Sequence, residues 1–329
     1  MRRIGNIYDK ICSPENLYLA YQKAKKGKGK TYGVILYERN LQENLIRLQK
    51  ELVEMSYKTS VYSVFMIQDP KERLVYRLPF RDRIVHHAIM NILQPIWVSV
   101  FTTDSYSCIK GRGIHGVLKN LKRDLKDFGC TQYCLKLDIK KFYPSIDHSI
   151  LKGIIRRKIK DNKVLQLLDG IIDSAPGVPI GNYLSQFLAN LYLTYFDHWI
   201  KEILRVKYYY RYADDIVILA SEKGYLHTLF LEIRDYLQQE LKLEVKHNYQ
   251  VFPVDVRGID FVGYVFRHTH ILMRKSIKQR FCRKASRLTK SKISGKEYAK
   301  CISPWLGWAK HCNSKNLINK VITRNEKVC

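Results

Sequence analysis

A chain of 329 residues is long enough for about two domains and a well-buried core, which excludes a peptide or a bare binding module. The net charge of +28 suits a polyanion such as nucleic acid, with an anionic membrane surface as the competing partner. No apolar run approaches the roughly 20 residues of a membrane span, Met1-Arg2-Arg3 leads into no signal-peptide core, and the eight cysteines form no paired C-x-x-C pattern, so free thiols in a reducing, cytoplasmic setting without a membrane are expected.

Ile4 to Leu19 carries no special chemistry, and Lys23 to Lys30 reads as a basic loop punctuated by glycine, either solvated or set against an RNA backbone. Leu41, Leu45, Leu48 and Leu52 recur at helical spacing and predict an amphipathic helix between Glu38 and Met55. Val61 to Leu78 predicts a β-hairpin whose loop is Gln68 to Arg73. A helix follows from Arg81 to Leu93, stopped near Pro95. Its His86-His87 pair, like His268 and His270, suits packing or the surface better than a metal. Gly111 and Gly113 flank Arg112 in a segment that either lets backbone approach a phosphate or is a structural loop; helix follows through Leu121.

Tyr133 to Asp138 alternates as a strand would, with Asp138 near its C-terminal end on the less apolar face. Asp147 then caps a helix running through Lys158, Pro176 to Gly181 forms a loop, and Tyr183 to Leu204 has the apolar density of a long buried helix. Tyr208 to Ala220 is aromatic and β-branched on both sides of Asp214-Asp215, which predicts a hairpin with the two acids at its tip. A helix over Leu226 to Leu241 and a strand over Leu243 to Lys246 come next. In the last stretch, Ile277, Phe281, Ala285 and Leu288 form one helical stripe and leave Lys278, Arg280, Arg283, Lys284 and Arg287 exposed. Arg257 to Cys329 holds 18 Lys and Arg against 3 Asp and Glu, which concentrates the positive field there; Trp305 and Trp308 read as core anchors.

Adjacent carboxylates repel, so an ionised Asp214-Asp215 pair is unfavourable unless a cation sits beside it; an ordinary turn stabilised by local hydrogen bonds is the simpler alternative. A strand carrying Asp138 in the same sheet would bring three carboxylates together, the number that two-metal phosphoryl transfer commonly needs.

Leu137-Asp138-Ile139-Lys140-Lys141-Phe142-Tyr143 followed by Tyr212-Ala213-Asp214-Asp215 resembles two palm motifs of reverse transcriptases. Gly177 to Gln186 between them resembles the motif that most bacterial relatives write Pro-Gln-Gly-x-x-x-Ser-Pro, with Ile180 here for Gln and Gln186 for the last Pro. That Ile-Gly-x-x-x-Ser-Gln form resembles the reverse transcriptases of diversity-generating retroelements. The resemblance runs from Gln68 to Tyr264 with motifs in the family's order, and it carries a set of implications for fold, site and reaction.

The fold would be an α+β right hand: fingers over 1–128, palm over 129–265 with fingers elements around 150–178, and a helical basic thumb over 266–329. By the same resemblance, Asp138, Asp214 and Asp215, with the backbone of Ile139, would hold two Mg²⁺, which Mn²⁺ can replace. Lys71 and Arg73 would meet the incoming deoxynucleoside triphosphate, together with Arg112, Tyr143, Ile180 and Gly181. Tyr143 would exclude a 2′-hydroxyl. The primer and duplex would lie on a tight hairpin at Phe261, Gly263 and Tyr264 and on Lys278, Arg280 and Lys284, while Lys246 aligns only loosely with a lysine that protonates pyrophosphate. The reaction would be RNA-directed DNA synthesis on a template-repeat RNA, with errors at adenines, in a bacterial or phage-infected cell. A small basic, oligomeric accessory protein would be a partner. The alternatives are a group II intron, retron or phage-defence reverse transcriptase, and a catalytically idle RNA-binding protein. About 65 residues after Tyr264 leave little room for the maturase and endonuclease extensions of an intron protein.

Overall fold

The computed structural model describes residues 3–68, 72–291 and 293–326. The chain packs as two compact units built from interleaved segments: 1–109, 139–205 and 233–246 form the first, and 110–138, 206–232 and 247–329 the second.

The first unit is largely helical. Its long helix Phe80–Val98 buries Ile84, Val85, Ala88, Ile89 and Leu93 against the helix Pro14–Lys25, which turns Leu17, Ala20 and Ala24 inward. Ser13 caps the latter by accepting from Asn16 N at 3.2 Å, with Pro14 at the first helical position, where its missing N–H costs nothing. Leucine-to-alanine changes in such a core typically cost about 2–5 kcal/mol. The helix Leu41–Val53 forms as expected and buries Leu48 and Leu52. The predicted hairpin is present as β1 (Ser63–Ile67) and β2 (Arg73–Arg77), paired from Ser63↔Arg77 to Ile67↔Arg73, with β1 exposed along its length.

Several expectations need correction here. Pro95 does not stop the helix, which continues to Val98; a proline removes one donor, and the turn is retained around buried Leu93 and Trp97. The Lys23 to Lys30 segment is not all loop: Lys23 and Lys25 complete the helix, and successive turns follow, with Lys28 N donating to Lys25 O at 2.8 Å and Thr31 N to Lys28 O at 2.9 Å. The long helix expected over Tyr183 to Leu204 breaks into Tyr183–Tyr192, Thr194–His198 and a wide π-turn at Trp199–Ile203. Leu243 to Lys246 forms no strand, only a bridge from Val245 to Ile139. Asp147 does cap the helix His148–Arg156, accepting from Ile150 N at 3.1 Å.

The second unit centres on a four-stranded antiparallel sheet. Its strands are β3 (Tyr133–Asp138), β4 (Tyr208–Tyr212), β5 (Asp215–Ala220) and β6 (Gln250–Pro253), in spatial order β4-β5-β3-β6. Ile216, Val217, Ile218 and Leu219 are all buried, so β5 is covered on both faces and its β-branched run needs no alternation. Three short strands, β7 (Ile259–Phe261), β8 (Tyr264–Phe266) and β9 (Ile271–Met273), form a second sheet. Val262 and Gly263, both at positive φ (43° and 92°), make the turn between β7 and β8 that a two-residue hairpin requires. The helix Lys275–Lys290 buries Phe281, Ala285 and Leu288, which pack with Ile302 and half-buried Trp305 and Leu317 of the helices Gly295–Ala309 and Lys315–Glu326. None of the described helices is long and apolar enough to cross a membrane.

Candidate active site

The end of the sheet gathers the acids. Asp138, the last residue of β3, stands opposite Asp215, the first residue of β5, and Asp215 also pairs with Tyr212 of β4. Only Asp214 lies in the hairpin turn, with Ala213; Asp215 already belongs to the ladder, one step from the tip expected for both. Ala213 takes φ 56°, a left-handed conformation that costs a non-glycine residue about 1–2 kcal/mol. The fully buried Arg211 donates to the Ala213 carbonyl at 3.1 Å and so helps hold that turn.

This corner is electrostatically strained. Asp215 Oδ1 is buried and accepts no hydrogen bond. Burial, then the charges of Asp138 and Asp214, push its carboxyl up to about 7, against the opposing pull of Lys136 and Arg274. Lys136 is a site residue that the sequence reading misses. Two residues before Asp138 on the same face of β3, its ammonium lies 3.7 Å from Asp215 Oδ2 and donates to the Asp260 carbonyl. Asp260 in turn accepts from Arg274 Nε at 2.5 Å. Among the described residues no three His, Cys, Asp or Glu groups converge in a closed cation cage. The donor set still fits a divalent cation: hard carboxylate oxygens, one of them buried and unsatisfied, with an ammonium as partial counter-charge.

Other predicted site residues fall in different places. In the second unit, Arg112 is the half-buried N-cap of the helix Gly113–Asp124. Phe261 and Tyr264 are 0% and 1% exposed, and a Cβ on Gly263 would lie 2.5 Å from the Trp308 ring. The hairpin therefore packs on the helix Gly295–Ala309, and any ligand would meet its backbone rather than these side chains. Trp308, with its ring centroid 5.2 Å from that of Tyr264, is the anchor expected of it. Lys278, Arg280 and Lys284 are exposed on one helix, as predicted.

In the first unit, Ile180 is tied to the hairpin: its carbonyl accepts from Tyr76 N of β2 at 2.9 Å. Gly181, at φ 115°, allows this, because a Cβ there would lie 2.9 Å from the Tyr76 carbonyl. Tyr143 is half-buried, and its carbonyl accepts from Val178 N at 2.9 Å. Gly177, at φ 59°, leaves the room that this approach needs. Arg73 is exposed at the start of β2, Ile139 is fully buried, and Lys71 lies outside the described residues.

Comparison with known proteins agrees with this geometry. The chain is 28% identical over 229 residues to Protein YkfC of Escherichia coli K12, covering 56% of this chain and 60% of that protein. It is 28% identical over 214 residues to the group II intron-encoded protein LtrA of Lactococcus lactis, covering 60% of this chain and 35% of that one. The chain thus spans less than two thirds of either relative. The fold is similar to that of apo telomerase from Candida tropicalis truncated from its C-terminal domain, with TM-score 0.54, 14% identity, and 65% and 55% of the two chains covered. Residues 68–266 match the family of reverse transcriptases (RNA-dependent DNA polymerases), and with well over half its length inside that match the chain belongs to it.

Proposed function

We propose that this chain is an RNA-directed DNA polymerase whose reaction takes place at Asp138, Asp214 and Asp215. The observation that carries the reading is the register of Asp138 against Asp215 with Asp214 in the adjoining turn. The three carboxylates would hold two divalent cations, Mg²⁺ by choice, with the Ile139 carbonyl as a further ligand. When bound, these cations supply the positive charge that activates a primer 3′-hydroxyl and stabilises departing pyrophosphate. Lys136 neutralises part of the acid charge and links the corner to the β7 backbone at Asp260. Lys71, Arg73 and Arg112 bind the triphosphate, and Tyr143 closes the space a 2′-hydroxyl would occupy. Lys278, Arg280 and Lys284 neutralise phosphates of the template–primer duplex, while the β7–β8 hairpin supports the primer end. The acidic sheet serves as palm, the β1–β2 hairpin as part of the fingers and the three C-terminal helices as thumb.

The finer reading is a diversity-generating enzyme that copies a template-repeat RNA with errors at adenines, aided by a basic oligomeric accessory protein. Ile180 supports it. A glutamine at that place could hydrogen-bond the incoming nucleotide, whereas isoleucine supplies bulk alone and leaves pairing to the template base, and adenine pairs through only two hydrogen bonds. A second reading, an intron-type reverse transcriptase, is favoured by the likeness to LtrA. Extension of a DNA primer on an RNA template, followed by sequencing of the product, tests both levels. Wild type should extend, and Ile180→Gln should lower misincorporation opposite template adenine several-fold while other errors change little. Equal adenine error rates would reject the diversity-generating account; no extension with Mg²⁺ or Mn²⁺ would favour the idle RNA-binding alternative.

A further inference from the structure

His148, the first residue of the helix His148–Arg156 in the first unit, has an acceptor at each ring nitrogen: the Asp173 carboxylate 3.2 Å from Nδ1 and the Gly177 carbonyl 2.8 Å from Nε2. Asp173 is itself gripped by Lys152, one turn along that helix, at 2.6 and 2.7 Å. Lys152 first, and then His148, hold the Asp173 carboxyl below the usual carboxylate range. A carbonyl can only accept, so the nitrogen facing Gly177 carries the proton. A His–Asp pair arranged in this way is no general base, because the nitrogen that would take a proton already donates. It is an aimed hydrogen-bond donor, with an anion behind the ring to set its orientation.

What it holds is one peptide plane. The Gly177 carbonyl and the Val178 N–H belong to the same peptide group; the carbonyl accepts from His148, and the N–H donates to the Tyr143 carbonyl at 2.9 Å. Clamped at both edges, that plane cannot rotate without breaking one of the two bonds. Gly177 and Val178 are buried, which impedes the exchange of either bond for one to water. The chain beyond is stiff: Val178 precedes a proline and Pro179 has its φ locked, so the orientation of the clamped plane carries through to Ile180. There the backbone is tied a second time, through the Ile180 carbonyl and Tyr76 N. His148 therefore acts, through the backbone, on the spacing between Tyr143 and Ile180.

We propose that His148 is a positioning residue for nucleotide selection: its Nε2–H fixes the Gly177–Val178 peptide plane and thereby the place of Ile180 relative to Tyr143. This rests on the reading that Tyr143 and Ile180 meet the incoming deoxynucleotide. The ring has no part in the chemistry at the carboxylates, so its loss should raise KM and relax sugar selection while kcat is nearly kept.

The test sets His148→Gln against His148→Asn and His148→Ala. A glutamine amide nitrogen lies about where Nε2 does and an asparagine one about where Nδ1 does, so only glutamine can still donate to Gly177. Two quantities would be read on the full chain: insertion kinetics for a deoxynucleotide and the matching ribonucleotide on a primed RNA template, and hydrogen exchange at the Val178 amide without substrate. The Asn and Ala variants should raise the deoxynucleotide KM about ten-fold, lower the preference for deoxyribose about ten-fold and speed Val178 exchange about ten-fold, while Gln stays within about three-fold of wild type in each. Thermal melts check folding, and the Gln–Asn comparison keeps the test available if the Ala variant does not fold. Asn behaving like Gln, a folded Gln variant as impaired as Ala, or all variants matching wild type would overturn the proposal. Faster exchange with unchanged KM and sugar preference would also overturn it. If the wild-type chain failed to extend a primer, the polymerase reading would fall, and the exchange rates alone would decide whether His148 holds the plane.

Discussion

The acidic corner of the sheet and a basic cavity of the helical unit, lined by Lys23, Lys28, Arg83, His86, His87 and Asn182, are electrostatic opposites. Each gathers charges of one sign and leaves a buried polar group unsatisfied: Asp215 Oδ1 in one, His86 and Asn182 Nδ2 in the other. The shifts are mirror images, with Asp215 pushed up to about 7 and both histidines down to about 4, because burial and like charges disfavour the ionised form of either kind. The means of assembly differ. Strand register alone brings the acids together and supplies an internal counter-ion, Lys136, whereas the cavity draws its cations from segments far apart in sequence. A one-sign cluster is a standing cost until its ligand arrives, and the sign of the cluster specifies the sign of the ligand.

Removing the counter-ion should change the acidic corner's hold on a cation. Lys136→Met deletes an ammonium 3.7 Å from Asp215, and the carboxylates should then bind Mn²⁺ up to about ten-fold more tightly, as read by paramagnetic resonance without nucleic acid. Unchanged or weaker binding would mean that Lys136 does not share the cation's place. Neutralising Lys278, Arg280 and Lys284 together separates exposed cations from enclosed ones: the salt slope of RNA binding should flatten by about 2, that is, about 0.7 for each phosphate. An unchanged slope would move the duplex track elsewhere.

The smallest effects concern protons. Arg83→Gln should raise the His87 pKa from about 4, because a positive neighbour is removed; nuclear magnetic resonance of the ring would report it. Since both histidines are held below their ordinary value near 6.5, the unfolded chain binds more protons between about pH 6.5 and 4, so their contribution to stability is intact above 6.5 and lost as pH falls through that window. Asp215 acts in the opposite direction: its folded value lies above the unfolded one, so its contribution is lost as pH rises from about 4 to 7. Chemical denaturation across pH in metal-free buffer would resolve the two.

Much of the acidic corner was legible because its information is local. Tyr208 to Ala220 spells a hairpin, and Asp138 ends a strand of matching character. The single-residue shift of Asp215 into the ladder was not legible, since turn type depends on Ala213 adopting a left-handed conformation that alanine does not advertise. Lys136 was hidden for a different reason: alternation put it on the face of Asp138, but its partner became visible only with the β3–β5 register. Phe261 and Tyr264 were placed in a tight hairpin, and the burial of their side chains is a tertiary outcome that no local pattern carries. Likewise Pro95 lies inside a helix that continues past it, and the helix after Tyr192 breaks at Leu193 with no proline or glycine to mark the place. Lys28 and Asn182 each stand in a stretch the sequence marks, Lys23 to Lys30 and Gly177 to Gln186, but that they line one cavity with Arg83 follows only from the fold.

The most direct test of the central claim is extension of a DNA primer on an RNA template by the wild-type chain and by Asp214→Asn, titrated with Mg²⁺ and matched for thermal stability and RNA affinity. The variant removes one carboxylate and also relieves repulsion at the turn, so its melting temperature should hold or rise and its RNA affinity should stay near that of wild type. Loss of extension to below a hundredth of wild type under those conditions is the predicted result. Extension at a tenth or more of wild type would contradict the assignment of the reaction to this corner of the sheet.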